Sequence, residues 1–257
     1  MNKQVLMFHS PKQIKEFRDF YMDYAYNAAL YWSNTERPDY IPEWWMSVNR
    51  NDISVRQLNM IPDLKSKQIL DMGAAHICEE DMLKSLDIVE NTVRIDIVGG
   101  FGGIGVIEMD ACNTTFADES FDIVIAREII EHVLDDRAMW REITRVLRPG
   151  GYLQLTTPNA YNLLPDGNQH RRGYSPIGLL NTAGNWGYYV LAKEGNVPNV
   201  FNTLLPLAMA NQNVDILLEE FKQTAEIMKG QPWSYYVGSL MMLLLQKGDN
   251  EHPVGAA

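Results

Sequence analysis

The sequence predicts an α/β fold built around a mostly parallel sheet. Residues 118–159 carry the prediction, because two apolar runs rich in β-branched residues, 121–126 and 152–156, flank a helical pattern. Asp135 or Asp136 can cap that helix. Its apolar positions recur at helical spacing and are Met139, Ile143, Val146 and Leu147. Parallel strands need a crossover of about a dozen residues or more, usually a helix. The helix between these two runs therefore favours parallel pairing.

The composition describes one globular domain with embellishments. The chain has 257 residues, of which 46% are hydrophobic and 21% charged. A net charge of −11 argues against nucleic acid as a partner, because Lys and Arg clusters supply most of that binding. Cys78 and Cys112 are too few for a disulfide framework or a zinc cluster, so no metal is predicted. The sequence offers neither a signal peptide nor a membrane span, so we expect a cytoplasmic protein without a membrane partner.

Three motifs follow one another through the central unit. Ser120-Phe121-Asp122 opens its first strand, Ile130-Glu131-His132-Val133 follows that strand, and Arg145-Val146-Leu147-Arg148-Pro149-Gly150-Gly151 ends its helix. In this order and spacing they resemble class I S-adenosylmethionine (SAM) dependent methyltransferases of the small-molecule type 11 or 12. The resemblance is good over residues 68–160 and weak over 168–190. It implies a Rossmann-like, doubly wound, mostly parallel sheet of seven strands with helices on both faces.

An N-terminal helical cover, residues 1–65, is predicted to precede a SAM-binding domain of residues 66–257. The cover begins with a helix start at Ser10-Pro11 and is rich in aromatic residues, which mostly serve as core. In the family such segments often cover the cofactor, so a lid is the competing hypothesis. A helical insertion at about residues 196–232 is expected to cover the core or to form a dimer surface, which leaves a homodimer open.

The first predicted strand ends in a loop of residues 71–77, Asp-Met-Gly-Ala-Ala-His-Ile, where the family carries Asp-x-Gly-x-Gly-x-Gly. Glycine lets backbone approach a ligand, so Ile77 departs from the pattern and Ala75 does so mildly. The resemblance places four loop residues in the cofactor site: Asp71, Gly73, Ala74 and Ala75. The missing glycines disfavour a nicotinamide dinucleotide, which needs them for its pyrophosphate. They also leave open a non-catalytic, methyltransferase-like scaffold or regulatory subunit.

Asp96 and Asp110 lie near the ends of two further predicted strands, residues 92–97 and 105–109. The resemblance implies that Asp96 accepts hydrogen bonds from the ribose hydroxyls and that Asp110 lies beside the adenine. It extends the cofactor site to three neighbours, Ile97, Ala111 and Cys112. For Cys112 a role as a small buried hydrophobe is favoured.

The glycine-rich connector between those two strands is short for a parallel crossover. Either the usual helix is lost there or the two strands pair as a hairpin, and we favour the first. Farther along the chain the sequence predicts a helix capped by Ser175 and two last strands, residues 186–192 and 239–246.

The fourth predicted strand ends near Arg127, which the resemblance adds to the cofactor site. Ligands of doubly wound sheets lie beyond the carboxyl ends of the strands. His132 is therefore a candidate catalytic base for a substrate hydroxyl, with a packing role as the alternative. His170 is a second candidate, since its segment crosses the mouth of the site in relatives; the alternative is a solvated loop residue. The predicted function is SAM-dependent methyl transfer to an oxygen or nitrogen of a small-molecule acceptor.

Overall fold

The computed structural model describes residues 43–74, 77–97, 105–160, 172–196, 219–220, 223–224, 226–238 and 240–249. Ala75, His170, the helix start at Ser10 and most of the aromatic N-terminal segment lie outside these residues. Within them the helices are α1 Glu43–Leu58, α2 Ile77–Leu86, α3 Asp136–Val146, α4 Pro176–Asn185 and α5 Ser234–Val237. The strands are β1 Ile69–Met72, β2 Thr92–Asp96, β3 Val106–Glu108, β4 Phe121–Arg127, β5 Leu147–Pro158, β6 Tyr188–Gly195 and β7 Leu240–Lys247.

The seven strands form one sheet in the order β3-β2-β1-β4-β5-β7-β6. Strands β1 to β5 pair in parallel, whereas β7 runs antiparallel to both of its neighbours. The predicted doubly wound, mostly parallel sheet is confirmed. Because the winding reverses between β1 and β4, a crevice for ligands is expected beyond the carboxyl ends of these strands.

Strands β2 and β3 pair in parallel, with Arg94 opposite Val106 and Asp96 opposite Glu108. The favoured parallel arrangement is confirmed, and the hairpin alternative is wrong. Asp96 and the residues after β3 therefore lie at the same edge of the sheet.

Helices cover both faces of the sheet because the central strands are apolar on both sides. Ile123 and Ile125 of β4 pack on the face that holds Leu58 of α1 and Met82 of α2. The intervening Val124 and Ala126 face the opposite cluster, which contains the apolar side of α3. The alternation of β4 thus places α1 and α2 on one face and α3 on the other.

The boundary between α3 and β5 differs from the sequence prediction. Asp135, one of the two predicted caps, is the N-cap of α3. Its side chain accepts a hydrogen bond of 3.0 Å from the Ala138 amide. Leu147, expected on the helical face, is already the first residue of β5. Gly150 then adopts φ +75°, and a Cβ on Gly151 would lie 2.9 Å from the Arg148 carbonyl oxygen. The two glycines therefore permit a close turn at the start of the strand, before regular pairing with β4 resumes at Tyr152.

Candidate functional site

The turn that leaves β1 is fixed by backbone contacts to β2. The amides of Gly73 and Ala74 both donate to the Ile95 carbonyl oxygen, at 2.9 and 3.0 Å. Gly73 adopts φ +83°, and a Cβ there would lie 2.8 Å from Cδ1 of Ile129. Glycine is therefore required at this one position of the loop. Asp71, in the strand that leads into the turn, is buried.

Two carboxylates lie where β2 and β3 end. Asp96 closes β2, is 5% exposed, and accepts through its backbone carbonyl from the Met109 amide at 2.8 Å. Asp110 follows β3, and its Oδ1 accepts from the Cys112 amide at 2.7 Å. This bond closes a small turn of the Asx type and fixes the carboxylate. The structure thus brings Asp96 and Asp110 to neighbouring strand ends, beside the turn at Gly73 and the bend at Ile97.

Cys112 packs beside the core behind this edge. Its Sγ lies 3.6 Å from the Asp135 carbonyl oxygen, and neighbouring Ala111 is buried. Burial raises the pKa of the Cys112 thiol, and the nearby Asp110 carboxylate raises it further. The thiol is therefore protonated at neutral pH, which suits a small apolar wall and not a nucleophile.

Arg127 ends β4 and turns its buried guanidinium toward α1 and α2. Its Nη2 donates to Oδ1 of Asn51 at 2.9 Å, and its Nη1 lies 3.0 Å from Sδ of Met82. These contacts favour helix docking as its role, and the predicted contact with a cofactor remains a prediction.

Glu128 lies directly after β4, among the residues expected beyond the carboxyl end of that strand, and its backbone conformation is one that the sequence did not predict. It adopts φ +51°, a left-handed conformation that a non-glycine residue adopts at a cost. Its amide donates to the Thr156 carbonyl oxygen at 3.0 Å, and its Oε1 accepts from the Thr156 hydroxyl at 2.8 Å. Strained residues held in this way cluster at functional sites. The sequence pattern carries no signal for it, since a backbone angle cannot be read from a glutamate.

His132 lies beside a buried carboxylate in the turn after β4. Glu131 is 1% exposed, and its Oε2 accepts from the Thr157 hydroxyl at 3.0 Å. Its other oxygen, Oε1, lies 3.8 Å from Nε2 of His132, whose side chain is 24% exposed. A buried carboxylate thus flanks a partly exposed imidazole at the carboxyl end of the sheet. This arrangement can orient the ring for proton transfer.

The segment after β5 is tied to the start of α3. Tyr174 donates its hydroxyl to Oδ2 of Asp136 at 2.8 Å, and Nη1 of Arg172 lies 3.1 Å from Oδ1 of the same carboxylate. Asn159, fully buried, donates from Nδ2 to the Gly238 carbonyl oxygen at 3.0 Å. Residues 172–175 therefore lie near the turn that carries His132. The sequence missed these contacts, because Tyr174 lies 38 residues after Asp136 in the chain.

Neither a metal cluster nor a membrane-spanning helix is found in the part of the chain that the structure describes. These residues contain no group of three or more His, Cys, Asp or Glu side chains able to hold a metal ion. Among the same residues, no helix is both long enough and apolar enough to cross a lipid bilayer.

Residues 64–155 match the family model described as a methyltransferase domain. A probable S-adenosylmethionine-dependent methyltransferase of Mycobacterium tuberculosis is 34% identical over 132 residues, which are 49% of this chain and 46% of that protein. The match thus spans about half the length of this relative. A ubiquinone biosynthesis O-methyltransferase of Coxiella burnetii is 24% identical over 197 residues, 61% of this chain and 81% of that protein.

Among solved structures, the chain is similar to phosphoethanolamine N-methyltransferase 2 of Haemonchus contortus, which was determined with phosphomonomethylethanolamine and S-adenosylhomocysteine. The TM-score is 0.59 at 16% sequence identity, over 92% of this chain and 61% of that one. At this identity the likeness concerns the fold alone.

Proposed function

We propose that this chain transfers the methyl group of SAM to a small-molecule acceptor, and the match of residues 64–155 to a methyltransferase domain supports the proposal. The observation that carries the proposal is the position of Asp96 and Asp110 at the ends of adjacent parallel strands, beside the turn at Gly73. One curated relative is an O-methyltransferase, which supports an oxygen acceptor, and a nitrogen acceptor stays the predicted alternative.

The donor set at this edge fits SAM. Ribose hydroxyls and an adenine amine are hydrogen-bond donors, and carboxylates such as Asp96 and Asp110 accept from them. The Gly73 position has no room for a Cβ, as expected where backbone closely approaches its surroundings. We propose that Asp96 with Ile97 holds the ribose, and that Asp110, Ala111 and Cys112 border the adenine. Bound SAM supplies a methyl carbon activated by a positively charged sulfur.

The protein's part in the transfer is mainly to position the acceptor and to exclude water. A hydroxyl acceptor would have to lose its proton in the transfer, so a base beside it would assist the reaction. We propose that the imidazole of His132 takes the hydroxyl proton in this step, held in place by buried Glu131. His170 stays a predicted substrate contact.

The proposal extends to partners and location. A net charge of −11 suits a small-molecule acceptor better than nucleic acid. The cytoplasmic location and a homodimer stay predictions.

A thermal-shift series tests binding of the cofactor. SAM and S-adenosylhomocysteine should raise the melting temperature, whereas NADH should not. Asp96→Ala should weaken S-adenosylhomocysteine binding about tenfold to a hundredfold, since a charge-assisted hydrogen bond is worth about 1.5–3 kcal/mol. Asp81→Ala, which removes an exposed carboxylate of α2, is the charge-matched control and should retain the shift. No shift with millimolar SAM would contradict the proposal and favour a non-catalytic scaffold.

A labelled-methyl assay tests the reaction. The chain is incubated with methyl-labelled SAM and a panel of small amines, phenols and alcohols, and each labelled product is identified by mass spectrometry. With a hydroxyl acceptor, His132→Gln should lower kcat about a hundredfold or more and leave S-adenosylhomocysteine affinity unchanged. An unchanged kcat in a folded His132→Gln variant would exclude the imidazole as the base.

A further inference from the structure

We propose that Arg94 is a positioning residue that fixes Gly73 and Ala74, at the start of the loop after β1, in the shape that binds the cofactor. The inference rests on the proposed function, since it assigns a role in the same SAM site. Arg94 lies in the middle of β2 and was not among the residues that the sequence singled out.

The guanidinium of Arg94 reaches three structural elements at once. Its Nη2 donates to the Ala74 carbonyl oxygen at 3.2 Å. Its Nε lies 3.6 Å from Oδ2 of Asp71 in β1, and its Nη1 lies 3.6 Å from Oε2 of Glu80 in α2. One side chain therefore links the strand before the loop, the loop itself and the helix after it.

Arg94 and Asp71 are both withdrawn from water, with side chains 5% and 1% exposed. An ion pair in such surroundings is screened little by solvent and salt. Glu80 is more exposed, at 28%, and also pairs with Lys84, so its link to Arg94 should contribute less. The contacts to Asp71 and to the Ala74 carbonyl are thus the ones expected to hold the loop.

Strand β2 contacts both the amide and the carbonyl group of Ala74. The Ala74 amide donates to the backbone carbonyl of Ile95. The Ala74 carbonyl accepts from the side chain of Arg94, which precedes Ile95 in β2. Both polar backbone groups of this loop residue are thereby directed to β2. The backbone next to the Gly73 turn has little freedom to rotate while Arg94 is in place.

The contacts of Arg94 can compensate for the missing glycines of this loop. A glycine-rich loop can adapt to a ligand, whereas this sequence has alanine and isoleucine at two positions where the family pattern has glycine, and these residue types favour fewer backbone conformations. A loop with fewer accessible shapes binds well only if it is held in the right one beforehand. Arginine suits this task better than lysine, because its planar fork serves several acceptors in fixed directions.

The test compares two Arg→Lys variants. S-adenosylhomocysteine affinity is measured by calorimetry at about 20 °C for the wild type, Arg94→Lys and Arg56→Lys. Arg56 pairs with Glu194 at 2.7 Å, away from the loop, and is the matched control. We expect Arg94→Lys to bind about tenfold more weakly, as for the loss of one charge-assisted hydrogen bond, and Arg56→Lys to bind like the wild type. Arg94→Met should bind S-adenosylhomocysteine still more weakly. If Arg94→Met does not fold, the comparison of Arg94→Lys with the wild type decides the test.

Amide hydrogen exchange separates positioning from global stability. In the unliganded Arg94→Lys protein, peptides covering residues 69–80 should exchange faster while peptides from α3 and β5 exchange as in the wild type. Equal affinity of wild type and Arg94→Lys would overturn the role of Arg94 alone. Weaker binding with faster exchange throughout the chain would also overturn it, as a purely structural effect. A wild type that binds no S-adenosylhomocysteine would overturn the proposed function, and the role of Arg94 with it.

Discussion

Gly73 is the residue at which the backbone of the site is most narrowly constrained. Its left-handed φ of +83° and the closeness of Ile129 act independently, since one concerns the backbone and the other concerns space. Gly230 shares the first constraint without the second, because it has φ +67° and a Cβ added there would meet no atom within 4 Å. Comparing alanine substitutions at Gly73 and Gly230 therefore separates the cost of backbone strain from the cost of steric overlap.

Gly73→Ala should lower the free energy of unfolding by about 2–4 kcal/mol, from left-handed strain together with the overlap on Ile129. Gly230→Ala should cost only the backbone part, about 1–2 kcal/mol. Urea unfolding measures both. Ile129→Gly removes both Cδ1 and Cβ of Ile129, which would lie 2.8 and 2.9 Å from the new Cβ. Adding it to Gly73→Ala should restore part of the difference, and a simple sum of the two single effects would contradict the overlap.

At this scale the sequence predicted which residue types gather at the site, and it could not predict where the side chains point. Asp96 ends one recognisable strand and Asp110 follows another, so their place at the sheet edge could be inferred. Arg127 also ends a strand, yet its guanidinium turns to Asn51. Its direction depends on a helix 76 residues earlier in the chain, and local spacing carries no record of that.

Helix α3 is joined to the chain before β4 through Glu142. Its Oε1 accepts from the Thr114 amide at 2.8 Å, and Nη2 of Arg145 lies 2.6 Å from the same oxygen. Burial raises the pKa of Glu142, but hydrogen bonds from Arg145 and Thr114 outweigh burial and hold the pKa below its usual value. The lowered pKa means that the folded state favours the ionised carboxyl.

The contribution of Glu142 to stability should therefore depend on pH. A carboxyl whose pKa is lowered on folding stabilises fully above its unfolded pKa, about 4.3, and loses this effect as pH falls through its folded pKa. The melting temperature of the wild type should exceed that of Glu142→Gln at about pH 7, and the gap should narrow below about pH 4. Glu226→Gln, at an exposed pair with Lys229, should show no such gap at either pH.

Most strands and helices could be predicted, because the periodicity of apolar residues indicates them in the sequence. The predicted strands at 186–192 and 239–246 correspond to β6 and β7 within a few residues. The start of β5 could not be placed, because Leu147 suits a helical stripe and a buried strand equally. Pairing with Phe121 of β4 decides in favour of the strand.

For the whole molecule, α1 is the element whose role the sequence described least well. Leu58 and Ile61 pack in the cluster that also holds Ile69 and Leu244. Polar bonds add to this packing, since Gln154 donates to Ser54 at 3.1 Å. The boundary predicted at residue 65 remains a prediction, but these contacts join α1 to the sheet and favour a boundary before it.

Two shortened chains test this organisation. A chain of residues 61–257 should be insoluble or lose cooperative unfolding, because it exposes the apolar face that α1 covers. A chain of residues 43–257 keeps α1 and should fold. Its affinity for S-adenosylhomocysteine should fall if residues 1–42 cover the cofactor, as the competing lid hypothesis holds, and stay unchanged if they serve only as core. Circular dichroism melts and calorimetry measure these outcomes, and a cooperative, stable 61–257 chain would contradict the role given to α1.

The position of β7 has a consequence for how the chain matures during synthesis. The ribosome makes this strand after β5 and β6, yet it lies between them and accepts a hydrogen bond from Gln57 through the Met242 carbonyl oxygen. Until it emerges, β5 lacks its outer neighbour and β6 has no strand to join. The edges of β5 and β6 therefore stay unpaired until β7 has been made, so we expect the yield of the folded protein to depend on chaperones at that stage.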